Sequence, residues 1–144
     1  KIFMKKIISS LFLSMSLCFC FGQLPNVNIK NIQGANVNIS KLSNEGNPII
    51  ISFWATWCKP CEIIADVVDE VFTKLPEKAT AIKVDVDESF DFYAFMKSKK
   101  MVQGIPTILC YHEGNDSYIP DDSITGTDTN QIYNFFRTNL EYLE

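Results

Sequence analysis

Apolar and polar residues alternate along the chain with a period that changes several times, and each change marks an element. From Gln23 to Ile39, Val27, Ile29, Val37 and Ile39 alternate with asparagines around Gln33-Gly34-Ala35-Asn36, a pattern that predicts a β-hairpin. Residues 40–47 are polar and read as a turn-rich connection. Pro48 then opens Ile49-Ile50-Ile51-Ser52-Phe53-Trp54, apolar on both faces, as expected of a strand covered on two sides. Beyond Cys58 the period becomes helical: Ile63, Ile64, Val67, Val68, Val71, Phe72 and Leu75 share one face, Pro60 falls in the first turn and Pro76 closes the helix. Ala81–Val86 predicts a second buried strand, parallel to the first because a helix connects the two. A helix over Ser89–Lys99 follows, then a strand at Thr107–Tyr111. Tyr118-Ile119 reads as a short edge strand before Pro120, which cannot donate to a ladder. The last helix gathers Ile132, Phe135, Phe136, Leu140 and Leu143, with Asp128 and Gln131 spaced as a capping box. Together with Phe92 and Phe95, these aromatic residues form the expected core.

The N-terminus follows another pattern. Lys5 and Lys6 precede an uncharged apolar run from Ile7 to Phe21, 15 residues long, which is short of the ~20 that span a bilayer. Small residues at Cys20 and Gly22 occupy the two positions a signal peptidase reads. Residues 1–22 are therefore read as a signal peptide, and 23–144 as one domain that is periplasmic or secreted. The alternative is a retained N-terminal anchor facing the periplasm, the only case in which this chain would meet a membrane.

Charge and cysteine content sharpen that reading. The formal charge is −4 over 144 residues, and removal of residues 1–22, with three lysines and no acid, takes it to −7. Such a chain lacks the basic stripe that a nucleic-acid partner requires. Of five cysteines, Cys58, Cys61 and Cys110 survive cleavage. Three cysteines do not make a disulfide scaffold, so a C-x-x-C pair in an oxidising compartment points to redox chemistry. A zinc site would need two more ligands, and only Cys110 and His112 remain. No metal or cofactor is expected beyond the redox-active disulfide. Cys110, on a buried strand, reads as a small core residue, and His112 as a solvated one.

Trp57-Cys58-Lys59-Pro60-Cys61 falls where a buried strand turns into a helix. The unpaired N–H groups and dipole of a helix N-terminus stabilise an anion, so Cys58 is the expected exposed nucleophile. Cys61, one turn on, is placed to close a disulfide with it. Lys59 adds a cation, and Pro60 stiffens the turn.

The stretch Phe53–Cys61 resembles the active-site signature of the thioredoxin superfamily, and Gly104-Ile105-Pro106-Thr107 resembles its cis-proline loop. The resemblance runs from about Val27 to Leu143. The leading hairpin and Ala55-Thr56-Trp57 are most similar to the extracytoplasmic TlpA-like and ResA-like branch. It implies an α/β thioredoxin fold, a central mixed sheet flanked by helices with an N-terminal hairpin extension. It also implies a cis Ile105-Pro106 bond beside the cysteines, and a substrate groove bordered by Trp57, Pro60, Ile105, Pro106 and Gly126. The chain departs from the family in two places. Ser52 replaces the usual buried Asp that assists the second cysteine, while the facing Lys83 is kept, so proton transfer falls to Ser52 with a water, to Lys83 or to solvent. The stretch from Asn115 to Thr125 is long and acidic, and reads as a solvated loop rather than a partner contact.

The expected function is reduction of protein disulfides outside the cytoplasm, in the setting of cytochrome c maturation, with an upstream membrane electron donor. A disulfide oxidase or isomerase on the same fold and a redox-silent peptide-binding module are the alternatives.

Overall fold

The computed structural model describes residues 22–141. Residues 1–21 of the expected signal peptide (1–22), and Leu143 of the predicted last helix, lie outside the described residues.

The central strand is β3 (Ile49–Trp54), paired in parallel with β4 (Thr80–Asp85) on one side and antiparallel with β5 (Thr107–Tyr111) on the other. An antiparallel edge strand, β6 (Asp122–Thr125), completes the sheet order β4-β3-β5-β6. Because successive side chains alternate across a strand, β3 feeds two cores. Ile49, Ile51 and Phe53 pack with Ile82, Leu109 and Tyr111 against the helix Phe90–Ser98. Ile50 packs with Ile108 and Cys110 against the helices Lys59–Phe72 and Thr129–Leu140. This two-sided burial is why β3 reads as an unbroken apolar run. The one exception is Ser52, on the Ile50 face.

The expected hairpin forms from β1 (Asn28–Lys30) and β2 (Asn36–Asn38), with Ile29 opposite Val37. It lies beside the free edge of β4, where the Ile32 N–H donates to the Ala81 carbonyl at 3.3 Å. Ile29, buried in the core, fastens it there.

The structure departs from the sequence expectations at four elements. Residues 40–47 are not all turn: Ile39–Asn44 is a short helix, α1. Asn38 ends β2 and also caps α1, its Oδ1 accepting from the Lys41 N–H, while Ile39 is fully buried. The helix after the cysteines, α2 (Lys59–Phe72), stops before Leu75 and Pro76. There the Thr73 hydroxyl donates to the Glu70 carbonyl and the Lys74 N–H turns back to Val71, which tightens the last turn.

The edge strand is β6, not Tyr118-Ile119. Tyr118 turns inward, its N–H donating to the Gly22 carbonyl and its own carbonyl accepting from the Tyr111 hydroxyl. The ladder begins only after Pro120, once the Asp121 N–H reaches the Cys110 carbonyl. The stretch from Asn115 is accordingly not a free acidic loop. Asp121 accepts from the His112 N–H and from Asn115 Nδ2, and Asp122 accepts from Asn139 Nδ2.

The third helix, α3 (Phe90–Ser98), buries Phe92 as expected and Met96 with it, whereas Phe95 is only half-buried against the same core. The last helix, α4 (Thr129–Leu140), buries Ile132, Phe135 and Phe136. Asp128 caps α4 through the N–H groups of Asn130 and Gln131, and the Gln131 side chain returns to the Asp128 carboxylate rather than to its backbone.

Candidate redox site

The end of β3, the start of α2 and the loop before β5 meet at one point. Trp54 ends β3, the chain turns through Ala55-Thr56-Trp57, and the Cys58 N–H closes that turn on the Ala55 carbonyl at 3.1 Å. Cys58 is the N-cap of α2, with extended backbone (φ −86°, ψ 91°), and its Sγ accepts from the Cys61 N–H at 3.3 Å. A cysteine here takes the place of the usual Ser, Thr or Asp cap, so the helix end supplies a donor to sulfur. Pro60 stands in the first turn, where a missing N–H costs no intrahelical bond. Cys58 and Cys61 are joined in a disulfide, with their Cα atoms 5.3 Å apart.

The sequence predicts an exposed Cys58, yet Cys58 and Cys61 are only 3% and 5% exposed. The cap geometry explains this: it folds the Cys58 side chain over the first turn, against its partner sulfur. The exposed apolar surface beside the pair belongs instead to Trp57, 65% exposed, and Ile63, 61% exposed.

The Ile105-Pro106 bond is cis, and Pro106 lines the same small cavity as Cys61, so this loop lies beside the disulfide. The Gly126 N–H donates to the Pro106 carbonyl at 3.2 Å, with Gly126 at φ +121°, a conformation that favours glycine. The Thr107 hydroxyl, bonded to the Gly104 carbonyl and in contact with Thr125 Oγ1, ties the loop to β6. The expected residues Trp57, Pro60, Ile105, Pro106 and Gly126 therefore sit on three connected segments around the pair.

Ser52 is buried beneath Cys61 and lines that cavity with it. Lys83 lies opposite Ser52 in the β3–β4 register and reaches Asp69 of α2, Nζ to Oδ1 2.8 Å. Sequence reasoning missed Asp69, whose spacing on α2 marks only an exposed position.

It also missed Asp87, whose Oδ2 accepts from the Trp57 indole N–H at 2.7 Å. The Asp85-Val86-Asp87 turn at the end of β4 is the available signal: the Asp87 N–H donates to Asp85 Oδ1 and holds the turn against the Trp57 loop. Asp87→Ala is expected to free the indole, raising KM for a protein disulfide about threefold while leaving the rate with a small disulfide unchanged. Steady-state kinetics with both substrates checks this.

Cys110 and His112 stay apart from the pair. Cys110 is fully buried, and burial, reinforced by Asp121 and Asp122, pushes its thiol up to about 12, so it remains protonated at neutral pH. His112 is not simply solvated: its Nε2 meets the Oδ1 of buried Asn139 at 2.8 Å. Among the described residues no cluster of three or more His, Cys, Asp or Glu is arranged to hold a metal, and no helix is long and apolar enough to cross a membrane. A groove of about 820 Å³ between the hairpin and the β4 edge includes neither cysteine.

The thioredoxin family profile matches residues 29–138. A Pseudomonas aeruginosa thioredoxin is 36% identical over 87 residues, 60% of this chain and 76% of that protein. The chloroplastic thioredoxin M3 of Oryza sativa subsp. japonica is 31% identical over 86 residues, but only 45% of its length is matched. Among solved structures, thioredoxin O2 of Arabidopsis thaliana in its oxidised state is similar with TM-score 0.55 and 26% identity, covering 69% of this chain and 80% of that one. Fasciola hepatica thioredoxin aligns with TM-score 0.54 and 28% identity, over 68% and 88%. A profile match across most of the chain, on a sheet and helices of the expected order and around a Cys58–Cys61 disulfide, places the chain in the thioredoxin family as a thioredoxin-like thiol-disulfide oxidoreductase.

Proposed function

We propose that this oxidoreductase works outside the cytoplasm, as a TlpA-like or ResA-like reductant of protein disulfides. The observation that carries the chemistry is the position of Cys58 as a helix cap bonded to Cys61. The Cys58 thiolate attacks one sulfur of a substrate disulfide, forming a mixed disulfide and releasing a substrate thiolate, which takes a proton from solvent. The Cys61 thiolate then attacks Cys58 Sγ, re-forming the internal disulfide and expelling the second substrate thiolate. Two electrons pass to the substrate, and a dithiol donor, in this reading an upstream membrane protein, must return them. Trp57, Pro60, Ile105, Pro106 and Gly126 border the groove that seats an extended substrate segment, and cytochrome c maturation is the proposed setting.

The lysine-flanked leader and the hairpin ahead of β3 support the extracytoplasmic placement. An N-terminus at Gln23 in the exported protein is the outcome that agrees with it. A chain still carrying Lys5 and Lys6 would replace the secreted form by an anchored one.

Lys59 is the observation favouring an oxidase, since a cation beside the pair stabilises the thiolate. An exposed lysine contributes about 0.5 kcal/mol, or about 10 mV for two electrons, against the ~150 mV separating thioredoxin from a strong oxidant. The expected potential, between about −270 and −220 mV, lies close to the value known for thioredoxin itself. Equilibration with a glutathione redox buffer tests it, and a value near about −120 mV would reject the reductase in favour of the oxidase.

A further inference from the structure

The Thr80 N–H donates to the Pro48 carbonyl and the Val86 N–H to the Trp54 carbonyl, so the even-numbered residues of β4 turn their backbone groups toward β3. Ala81, Lys83 and Asp85 turn theirs the other way, toward the outer edge of the sheet. Among the described residues no ladder joins the hairpin to that edge: β1 and β2 form a sheet of their own, and the Ile32 N–H reaches the Ala81 carbonyl from the turn between them. The Asp85 carbonyl accepts from the Ser89 N–H. The N–H groups of Lys83 and Asp85 and the Lys83 carbonyl thus belong to no ladder, and both residues line the groove of about 820 Å³ beside the hairpin.

The other side of that groove is the second half of α2. Trp54 and Phe72, with Ile29 and Ile32 of the hairpin, give it apolar surface. Its charged residues are Lys30, Lys83, Asp69, Asp85 and Glu88. Lys83 is tied to Asp69 at 2.8 Å, whereas Lys30, Asp85 and Glu88 enter no salt bridge among the described residues, so one ammonium is left against two carboxylates. Thr56 and Glu88 also border the groove. They are the chain neighbours of Trp57 and of Asp87, which holds the Trp57 indole, so the groove reaches the loop that leads into Cys58.

We infer that this groove binds an extended segment of a partner polypeptide, which adds a strand to β4 and carries apolar and basic side chains. A strand edge with unmade backbone bonds is matched by another extended backbone. The added strand pairs with Lys83 and Asp85, its apolar side chains cover Trp54 and Phe72, and a basic one meets Asp85 and Glu88. The hairpin does not fill this place, because Ile29 holds it in the core on the α3 side of the sheet. The segment needs no cysteine, so the inference stands apart from the redox reading. Docking there sets the rest of the partner beside Trp57.

The test uses the oxidised full chain and a blocked, cysteine-free hexapeptide of alternating lysine and valine, followed by backbone amide NMR. Binding should be saturable, with exchange of the Lys83 and Asp85 N–H groups slowed about tenfold or more and the β6 edge unchanged. The same peptide N-methylated at every residue, which cannot pair, should bind at least about tenfold more weakly. Glu88→Lys, at an exposed position, should weaken binding of the parent peptide about threefold, and Lys30→Glu should strengthen it by a similar factor. No saturable binding, equal binding of the N-methylated peptide, or protection at β6 in place of Lys83 and Asp85 would overturn the inference. Protection of Lys83 and Asp85 that grows with protein concentration in the absence of peptide would overturn it in favour of a second copy of this chain.

Discussion

Cys58→Ser is expected to abolish reduction of a protein disulfide, by about a thousandfold or more, while Cys110→Ala leaves it nearly intact. A serine hydroxyl stays protonated at neutral pH even at a helix N-terminus, and it cannot exchange with a disulfide. Only Cys58 among the described cysteines caps a helix, and only Cys61 is bonded to it. Cys110 lies in β5, fully buried, with its thiol held up at about 12. It is neither reachable nor ionised under the assay conditions. Insulin reduction and alkylation of the native and denatured protein check both statements: Cys110 should react only on unfolding. Comparable losses from the two substitutions would reverse the roles of nucleophile and core residue.

The second large effect concerns stability. Phe53→Ala is expected to destabilise the domain by about 3–5 kcal/mol, a large part of the ~5–15 kcal/mol that holds a domain of this kind together. Phe53 is fully buried in the central strand, stacked on Phe92 at 5.6 Å between ring centroids, with Tyr93 at 6.2 Å. Truncation removes these contacts and leaves a cavity between β3 and α3 that the paired strands on both sides keep from collapsing. Ile119→Ala, at a side chain 54% exposed, should change stability by less than about 0.5 kcal/mol. Thermal unfolding monitored by circular dichroism distinguishes the two, with an expected fall in Tm of about 10–20 °C for Phe53→Ala. Because Phe53 faces α3 rather than α2, the loss should appear in Tm well before it appears in the chemistry of Cys61.

Hydrophobic periodicity is enough to mark β3, α2, β4, β5 and α4, because each carries a long apolar pattern bounded by a proline, a cap or a turn. The chemistry is legible at the same level, since two cysteines three positions apart at a strand-to-helix turn share that turn whatever surrounds them. Short or polar elements leave too little pattern to read. The signal for α1 is one buried Ile39 and one capping Asn38. β6 alternates with a single apolar residue, Ile124, so its pairing is set by the register of β5 rather than by its own pattern. Contacts between distant segments exist only once the chain is folded: Asp87 on the Trp57 indole, Gly126 on the Pro106 carbonyl, Asp69 on Lys83. A carboxylate at an exposed position carries no mark of which side chain it will meet. Such pairings follow from how the sheet places its loops and helices, and the burial of Cys58 has the same cause: the helix cap, closed over by its neighbours, covers the sulfur that its position in the chain would leave open.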